Sequence, residues 1–458
     1  MKRLKYLTLQ ILAVIASVCI YSSCSADDYM DAIPANSNAL IAINAKAMQE
    51  QAGVKDNNIA ASLLKVDNID DCGIDFSQKI YLFETVDGNL GMCAKVNSES
   101  RITDWLGDLA KKGECSKTTE RRDNTFALLH GSWAVGYSGK SIVIIGPVLP
   151  SGQAEAIRTL DRYLKQDEDD GIKSSPLFDK VEEINSPIAI AAQVDALPEK
   201  LSAPFTIGAP KGADASQICI AASVTTNGNG CLNISGEPFS FNSDIDKSLK
   251  QADAKFRKIG GRYAANIPGS TLCSIFLNMK GSDFVEMMHN SPSLGVLLAG
   301  MNTAIDMDNI LRSVDGEMAF SVKAFSDKDI KMCMAAQLAN TTFLKDVDYW
   351  KKSCQPGCSI TNCGSDCYTY KSSDTQFRFG VSNGKEFYGS TDVETATAIL
   401  NPAKEQFPAE VKALITGQRF CMVINVKEIL GGNKEMATIS DLIAPLFGKV
   451  DYIVYNIK

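Results

Sequence analysis

The stretch Tyr29-Met-Asp-Ala-Ile33-Pro34, followed by Asn44-Ala-Lys46, returns later in the chain as Tyr263-Ala-Ala-Asn-Ile267-Pro268, followed by Asn278-Met-Lys280. On its own such a pair is weak, because a few matches arise by chance when many offsets are tried. Its weight comes from later blocks that recur in the same order. Met92-Cys93, a helix ending Lys111-Lys112 and then Cys115 find an echo in Met332-Cys333, a helix ending Lys351-Lys352 and then Cys354. The hairpin Gly136-Tyr-Ser-Gly-Lys140 pairs with Gly380-Val-Ser-Asn-Gly-Lys385, and Ala156-Ile157 pairs with Ala398-Ile399. Insertions confined to loops keep the order while letting the offset drift. This pattern predicts a tandem duplication, with a first α+β repeat over 29–260 and a second over 263–458.

Within each repeat, short alternating or apolar runs predict strands at 39–44, 80–86, 90–96, 125–129, 133–137 and 141–145. Turn pairs such as Asp87-Gly88 and Ser138-Gly139 join several of them. Links this short imply antiparallel hairpins. Helices are predicted at 101–112, 153–165 and 242–258; in the last, Ser243 and Asp246 suggest a capped start, and Ile245, Leu249, Ala252 and Phe256 share a face. Hairpins punctuated by helices, without regular β-α-β alternation, argue for α+β halves, each a mainly antiparallel sheet with helices on one face.

Composition narrows the function. The chain has 458 residues with 46 basic against 54 acidic, a formal charge of −8, and losing Lys2, Arg3 and Lys5 with a leader makes it more acidic. Nothing in that balance attracts a phosphate backbone, so nucleic acid is not an expected partner. Two histidines, His130 and His289, exclude a His-rich metal cage.

The leader is legible. Lys2, Arg3 and Lys5 precede the apolar run Leu7 to Ile20, which is too short for a stable membrane span. Residues 1–23 are therefore expected to be a cleaved signal peptide. The junction Ser22-Ser23-Cys24 resembles a bacterial lipobox, which implies diacylation at Cys24; a plain signal peptide leaving Cys24 free is the alternative. Residues 24–28 then form a lipidated tether. Its acidic pair Asp27-Asp28 resembles the surface-export tag of Bacteroidetes lipoproteins, the other reading being a solvated tether. The expected location is the outer membrane, cell-surface or else periplasm-facing.

Together with the lipobox and acidic tether, Tyr29-Met-Asp-Ala-Ile-Pro34-Ala-Asn-Ser and a strand ending Ile-Asn-Ala-Lys46 resemble the Bacteroidetes lipoprotein family catalogued as domain of unknown function 4836. That resemblance implies a lipid-anchored envelope protein and supplies no catalytic residues.

Local chemistry is sparse. Cys354-x3-Cys358-x4-Cys363-x3-Cys367 places four thiols close together; disulfides, free thiols and a metal site remain open, with spacing poor for facing zinc knuckles. Cys219 and Cys231 flank a turn and are candidates to bridge a hairpin. Gly136 to Ser141 lacks the first glycine of a phosphate loop and continues as strand, so it reads as a hairpin turn. Asn44, Asn278 and Asn425 read as helix caps beside solvated lysines. Asp167 to Asp170 misses calcium-loop spacing, and Met287-Met288-His289 reads as packing. No catalytic residues or cofactors are expected. The expected function is a non-catalytic binding or scaffold module with an unidentified envelope partner; a carrier of an apolar ligand and a secreted hydrolase are the alternatives.

Overall fold

The computed structural model describes residues 28–53, 64–196, 203–206, 208–226, 229–290, 305–326, 329–430 and 449–457. The fold is α+β, and its chain forms two compact units. The first runs to Lys46 and resumes up to Glu183; the second takes the segment starting at Ala47 and everything from Ile184 onward.

In the first unit β1 (Ala39–Ile43), β2 (Ile80–Glu84), β3 (Leu90–Lys95), β4 (Thr119–Arg121), β5 (Asn124–Leu129), β6 (Trp133–Tyr137) and β7 (Ser141–Gly146) form an antiparallel sheet. Its order is β1-β2-β3-β7-β6-β5-β4. The period-2 runs and tight turns placed these boundaries within two residues, except for β4, which was not expected. Apolar residues occupy both faces. On one, helix Glu99–Lys111, capped by the Ser98 side chain, buries Ile102, Trp105, Leu106 and Leu109 against Ala94, Ala127, Val135 and Ile142. Gly136, on the opposite pleat from Val135, approaches Leu164 at the end of helix Gln153–Tyr163. Helices therefore cover both faces here, rather than the one expected. The reason lies in strands such as β7, Ser-Ile-Val-Ile-Ile-Gly, which is buried at five of its six positions and needs an apolar partner on each side.

The second unit contains β8 (Ile188–Gln193), β9 (Cys219–Thr226), β10 (Cys231–Phe239), β11 (Cys273–Lys280), β12 (Val314–Ser326), β13 (Asp329–Leu338), β14 (Ser359–Gly364), β15 (Cys367–Lys371), β16 (Gln376–Ser382), β17 (Glu386–Ser390), β18 (Phe420–Asn425) and β19 (Tyr452–Ile457). Seven of these strands run β11-β12-β13-β17-β16-β15-β14. Beyond β11 the ladder continues β18-β19-β10-β9-β8, with β10 and β19 parallel and the other pairs antiparallel. Because β8 to β10 are tied to the carboxy-terminal strand, the compact unit begins at Ile184, upstream of the repeat boundary expected at 260–263. Alternate residues of β13 feed two cores. Met334 and Ala336 join Leu277, Met279, Phe343, Trp350 and Phe379; Cys333 and Ala335 join Tyr263, Ile267, Phe276, Ile399 and Val411.

Two local readings shift. Helix Ser243–Asp253 is capped by Asn242, whose Oδ1 accepts from the amides of Asp244 and Ile245, because that side chain sits one residue before the first helical turn. The helix ends before Phe256, which packs on the core from the following segment. Cys219 lies opposite Phe239 and is a free thiol, as is Cys231 at the other end of the hairpin, so the two do not bridge.

Candidate functional site

Strand register brings together residues that are distant in sequence. Ser274 on β11 faces Ser321 on β12, Ser321 faces Cys333 on β13, and Cys333 faces Ser390 on β17. This row of small polar side chains is buried, with relative exposures of 1%, 2%, 6% and 1% in that order. Ser274 Oγ lies 3.1 Å from Thr271 Oγ1, and Ser390 Oγ donates to the Met332 carbonyl at 3.2 Å. Ser321 Oγ has no hydrogen-bond partner of good geometry, an uncommon state for a buried hydroxyl. Its neighbour is the Cys333 thiol.

Two residues along β12, Lys323 falls in a bulge of the β12–β13 ladder, between the Val322 and Ala324 pairs, where the regular alternation is broken. A cleft of about 490 Å³ lies there, with Lys323 and Cys333 in its lining and Pro268, Ala398 and Ile399 as its apolar walls. Asn266, also in the lining, donates from Nδ2 to the Ile399 carbonyl at 2.9 Å and so ties the two walls together. Lys323 Nζ lies 3.5 Å from Thr395 Oγ1 and 4.0 Å from Asp392 Oδ2, while Thr395 Oγ1 donates to that carboxylate at 2.7 Å. The ammonium has three donors and makes only long contacts with them. Lys404 and Glu405 stand exposed at the rim. Burial pushes the Cys333 thiol up, with Lys323 and Ser321 pulling the other way. A thiol held protonated is a poor nucleophile. The arrangement suits holding a ligand more than transforming one.

The first unit treats the same positions differently. Tyr81 faces Cys93, and Cys93 faces Val143, across β2, β3 and β7. The Tyr81 ring is 1% exposed and packs 6.2 Å from the Tyr29 ring. Cys93 Sγ donates to the Tyr29 carbonyl at 3.2 Å, and burial drives that thiol far upward. A separate polar recess of about 400 Å³ lies by Asp28, Asp31 and Lys140. There Lys140 pairs with Asp28 at 3.2 Å and Lys173 with Asp31 at 3.3 Å. Burial pushes the Asp31 carboxyl up against the opposing pull of Lys173.

Of the residues singled out in the sequence, Cys24 and Asp27 lie outside the described residues, and Asp28 opens the first short helix. Cys363 and Cys367 form a disulfide at the β14–β15 turn, whereas Cys354 and Cys358 are free thiols. Tyr370 Oη donates to Cys358 Sγ at 3.3 Å, which pushes the phenol up. Among the described residues no group of three or more His, Cys, Asp or Glu side chains is placed to hold a metal ion. Asn425 caps by accepting from the Glu428 amide; Asn278 instead donates to the Lys258 carbonyl. Asp167 Oδ1 accepts from the amides of Asp169 and Asp170, closing a turn. His130 sits in the β5–β6 turn with φ 48°, and His289 pairs with Asp308 at 2.8 Å. Met287 and Met288 are core residues. None of these lines the cleft. Ser321, Lys323 and Ser390 carried no motif; the one available signal was that Ser321 and Lys323 alternate with the apolar Phe320, Val322 and Ala324.

Among the described residues no helix is long and apolar enough to cross a membrane. A family model, domain of unknown function (DUF4836), matches residues 29–454, so the chain belongs to that family. No curated protein matches it. Among solved structures, crystal form IV of TP0453 is 12% identical with a TM-score of 0.24, covering 38% of this chain and 66% of that one. Crystal form III is 11% identical with a TM-score of 0.25, covering 41% and 69%. Crystal form I is 9% identical with a TM-score of 0.23, covering 82% and 98%. The chain thus spans about two thirds of the first of these, and likeness at this level carries no argument about fold or function.

Proposed function

We propose that this DUF4836 member is a lipid-anchored envelope protein of the outer membrane, cell-surface exposed, whose duplicated α+β halves form a non-catalytic binding module. The observation that carries the anchoring is the order basic leader, apolar run, Ser22-Ser23-Cys24 and acidic Asp27-Asp28, all placed directly before the folded chain at Asp28. Cys24 takes the lipid, Asp27 and Asp28 act as the export signal, and the unidentified partner is another envelope component.

The duplication draws support from matching strand orders and from paired details. Ser37 Oγ donates to the Pro34 carbonyl at 2.7 Å as Thr271 Oγ1 does to Pro268 at 2.8 Å. Ala35 N donates to Asp170 O, and Gly269 N donates to Glu405 O. A binding role is supported by a cleft that joins aliphatic surface at Pro268, Ala398 and Ile399 to polar groups such as Asn266, Ser270, Lys323 and Thr395.

Metabolic labelling with radioactive palmitate tests the anchor: the native chain takes label and Cys24→Ala does not. Label persisting in the variant overturns lipidation at Cys24. Protease shaving of intact cells tests the leaflet, and a chain left uncut refutes surface display.

A further inference from the structure

We infer that the cleft over Ser321 and Cys333 is a binding site for a small aliphatic carboxylate, with its acid group on Lys323 Nζ and its alkyl part against Pro268, Ala398 and Ile399. The inference rests on the binding-module reading above and specifies its ligand class. The cleft's volume of about 490 Å³ falls in the range of about 300–1,000 Å³ usual for small-molecule sites.

Charge selects the head group. Lys323, its side chain 29% exposed, is the charged side chain set deepest in the lining. Its long contacts to Thr395 and Asp392 leave an N–H to donate to a guest. With Lys404 exposed at the rim, one ammonium stands inside the cleft, which suits a monoanion. A phosphate ordinarily gathers several donors or an Arg fork, and the lining contains no arginine. Glu405 is exposed at the rim, where water and salt screen its repulsion.

The walls select the body. No aromatic ring lines the cleft, so nothing offers the stacking surface that a nucleobase or an aromatic acid would use. Pro268, Ala398 and Ile399 present aliphatic surface instead. Ser321 supplies an independent pointer: a hydroxyl 2% exposed lies opposite the lining residue Cys333 and has no hydrogen-bond partner of good geometry. It stands where the first unit has the filling ring of Tyr81.

The test uses the full chain and carboxyl-labelled sodium octanoate, followed by carbon NMR, with 1-octanol as the uncharged comparator. Octanoate is expected to bind about tenfold tighter than octanol, the worth of one charge-assisted hydrogen bond. Lys323→Gln should remove that preference while leaving octanol binding unchanged. Ser321→Tyr, which imports the first unit's ring, should abolish both. Should that variant fail to fold, Ala398→Trp obstructs the cleft from an exposed position and should do the same.

Equal binding of octanol and octanoate to the native chain overturns the carboxylate assignment. Undiminished octanoate binding in both filled variants overturns the location, and no binding at all overturns both. None of these results touches the anchor or its leaflet, which palmitate labelling and shaving decide separately.

Discussion

The strands β1 to β7 and β11 to β17 follow one order, yet they use the same register position in opposite ways. In the first set Tyr81, Cys93 and Val143 lie side by side, with aromatic and aliphatic bulk filling the space against Tyr29. In the second set Ser321, Cys333 and Ser390 take those places, and a cleft stands over them. The two faces differ in side-chain volume while the ladder is kept, because the backbone pairing does not depend on what projects from it. The thiol common to both is unchanged in type and raised by burial in each.

That contrast can be broken most directly at Tyr81. Tyr81→Ser gives the first set the second set's residue and should cost about 3–5 kcal/mol, as large aromatic truncations in cores do. Denaturant unfolding that reports no loss would mean the ring is not structural fill. Gly281 sharpens the contrast next. A β-carbon on it would collide with the Leu311 carbonyl oxygen. Gly281→Ala should therefore cost about 3 kcal/mol through overpacking, and a chain of unchanged melting temperature would contradict that approach.

A smaller effect is expected at Glu317, a feature of the second set. Its carboxylate accepts from the amides of Gly260, Gly261 and Arg262 at 3.0, 3.1 and 2.9 Å. Glu317→Gln keeps the shape and halves the acceptor capacity, so a loss of about 2 kcal/mol is expected. Equal stability of the two proteins in urea would show the loop is held otherwise.

A further effect is read in pH. Burial pushes Cys219, Cys231 and Cys273 up to about 11 from a usual value of 9.0. The folded chain then holds protons that the unfolded chain releases, so stability is full below pH 9 and declines as pH rises to about 11. Replacing the three by Ala should flatten that decline, and an unaltered slope in pH-dependent melting would assign it to other groups.

Much of the local architecture was legible. Apart from the three-residue, fully exposed β4, strands β1 to β7 are short, alternate or run apolar, and end on turn residues, so period and punctuation located them. Helix Glu99–Lys111 announced itself through Ile102, Trp105, Leu106 and Leu109. The cap of helix Ser243–Asp253 was misplaced by one residue because Asn242 and Ser243 are both good caps, and only backbone geometry chooses between them. The covering of both sheet faces was hidden because a fully apolar strand does not say what lies on either side.

The carboxy-terminal strand shows the limit better than any tally. Nothing local to Tyr452–Ile457 indicates that it pairs antiparallel with β18 and parallel with β10. The cleft has the same character: its groups come from segments near 268, 323, 333 and 399, each unremarkable alone. Sequence by itself determined the acidic balance, the α+β class and the positions of most strands among β1 to β7, since these depend on neighbours a few residues apart. Only the tertiary structure decided which strands meet and where a face stays open, because cross-strand register joins residues whose separation along the chain has no bearing on their contact.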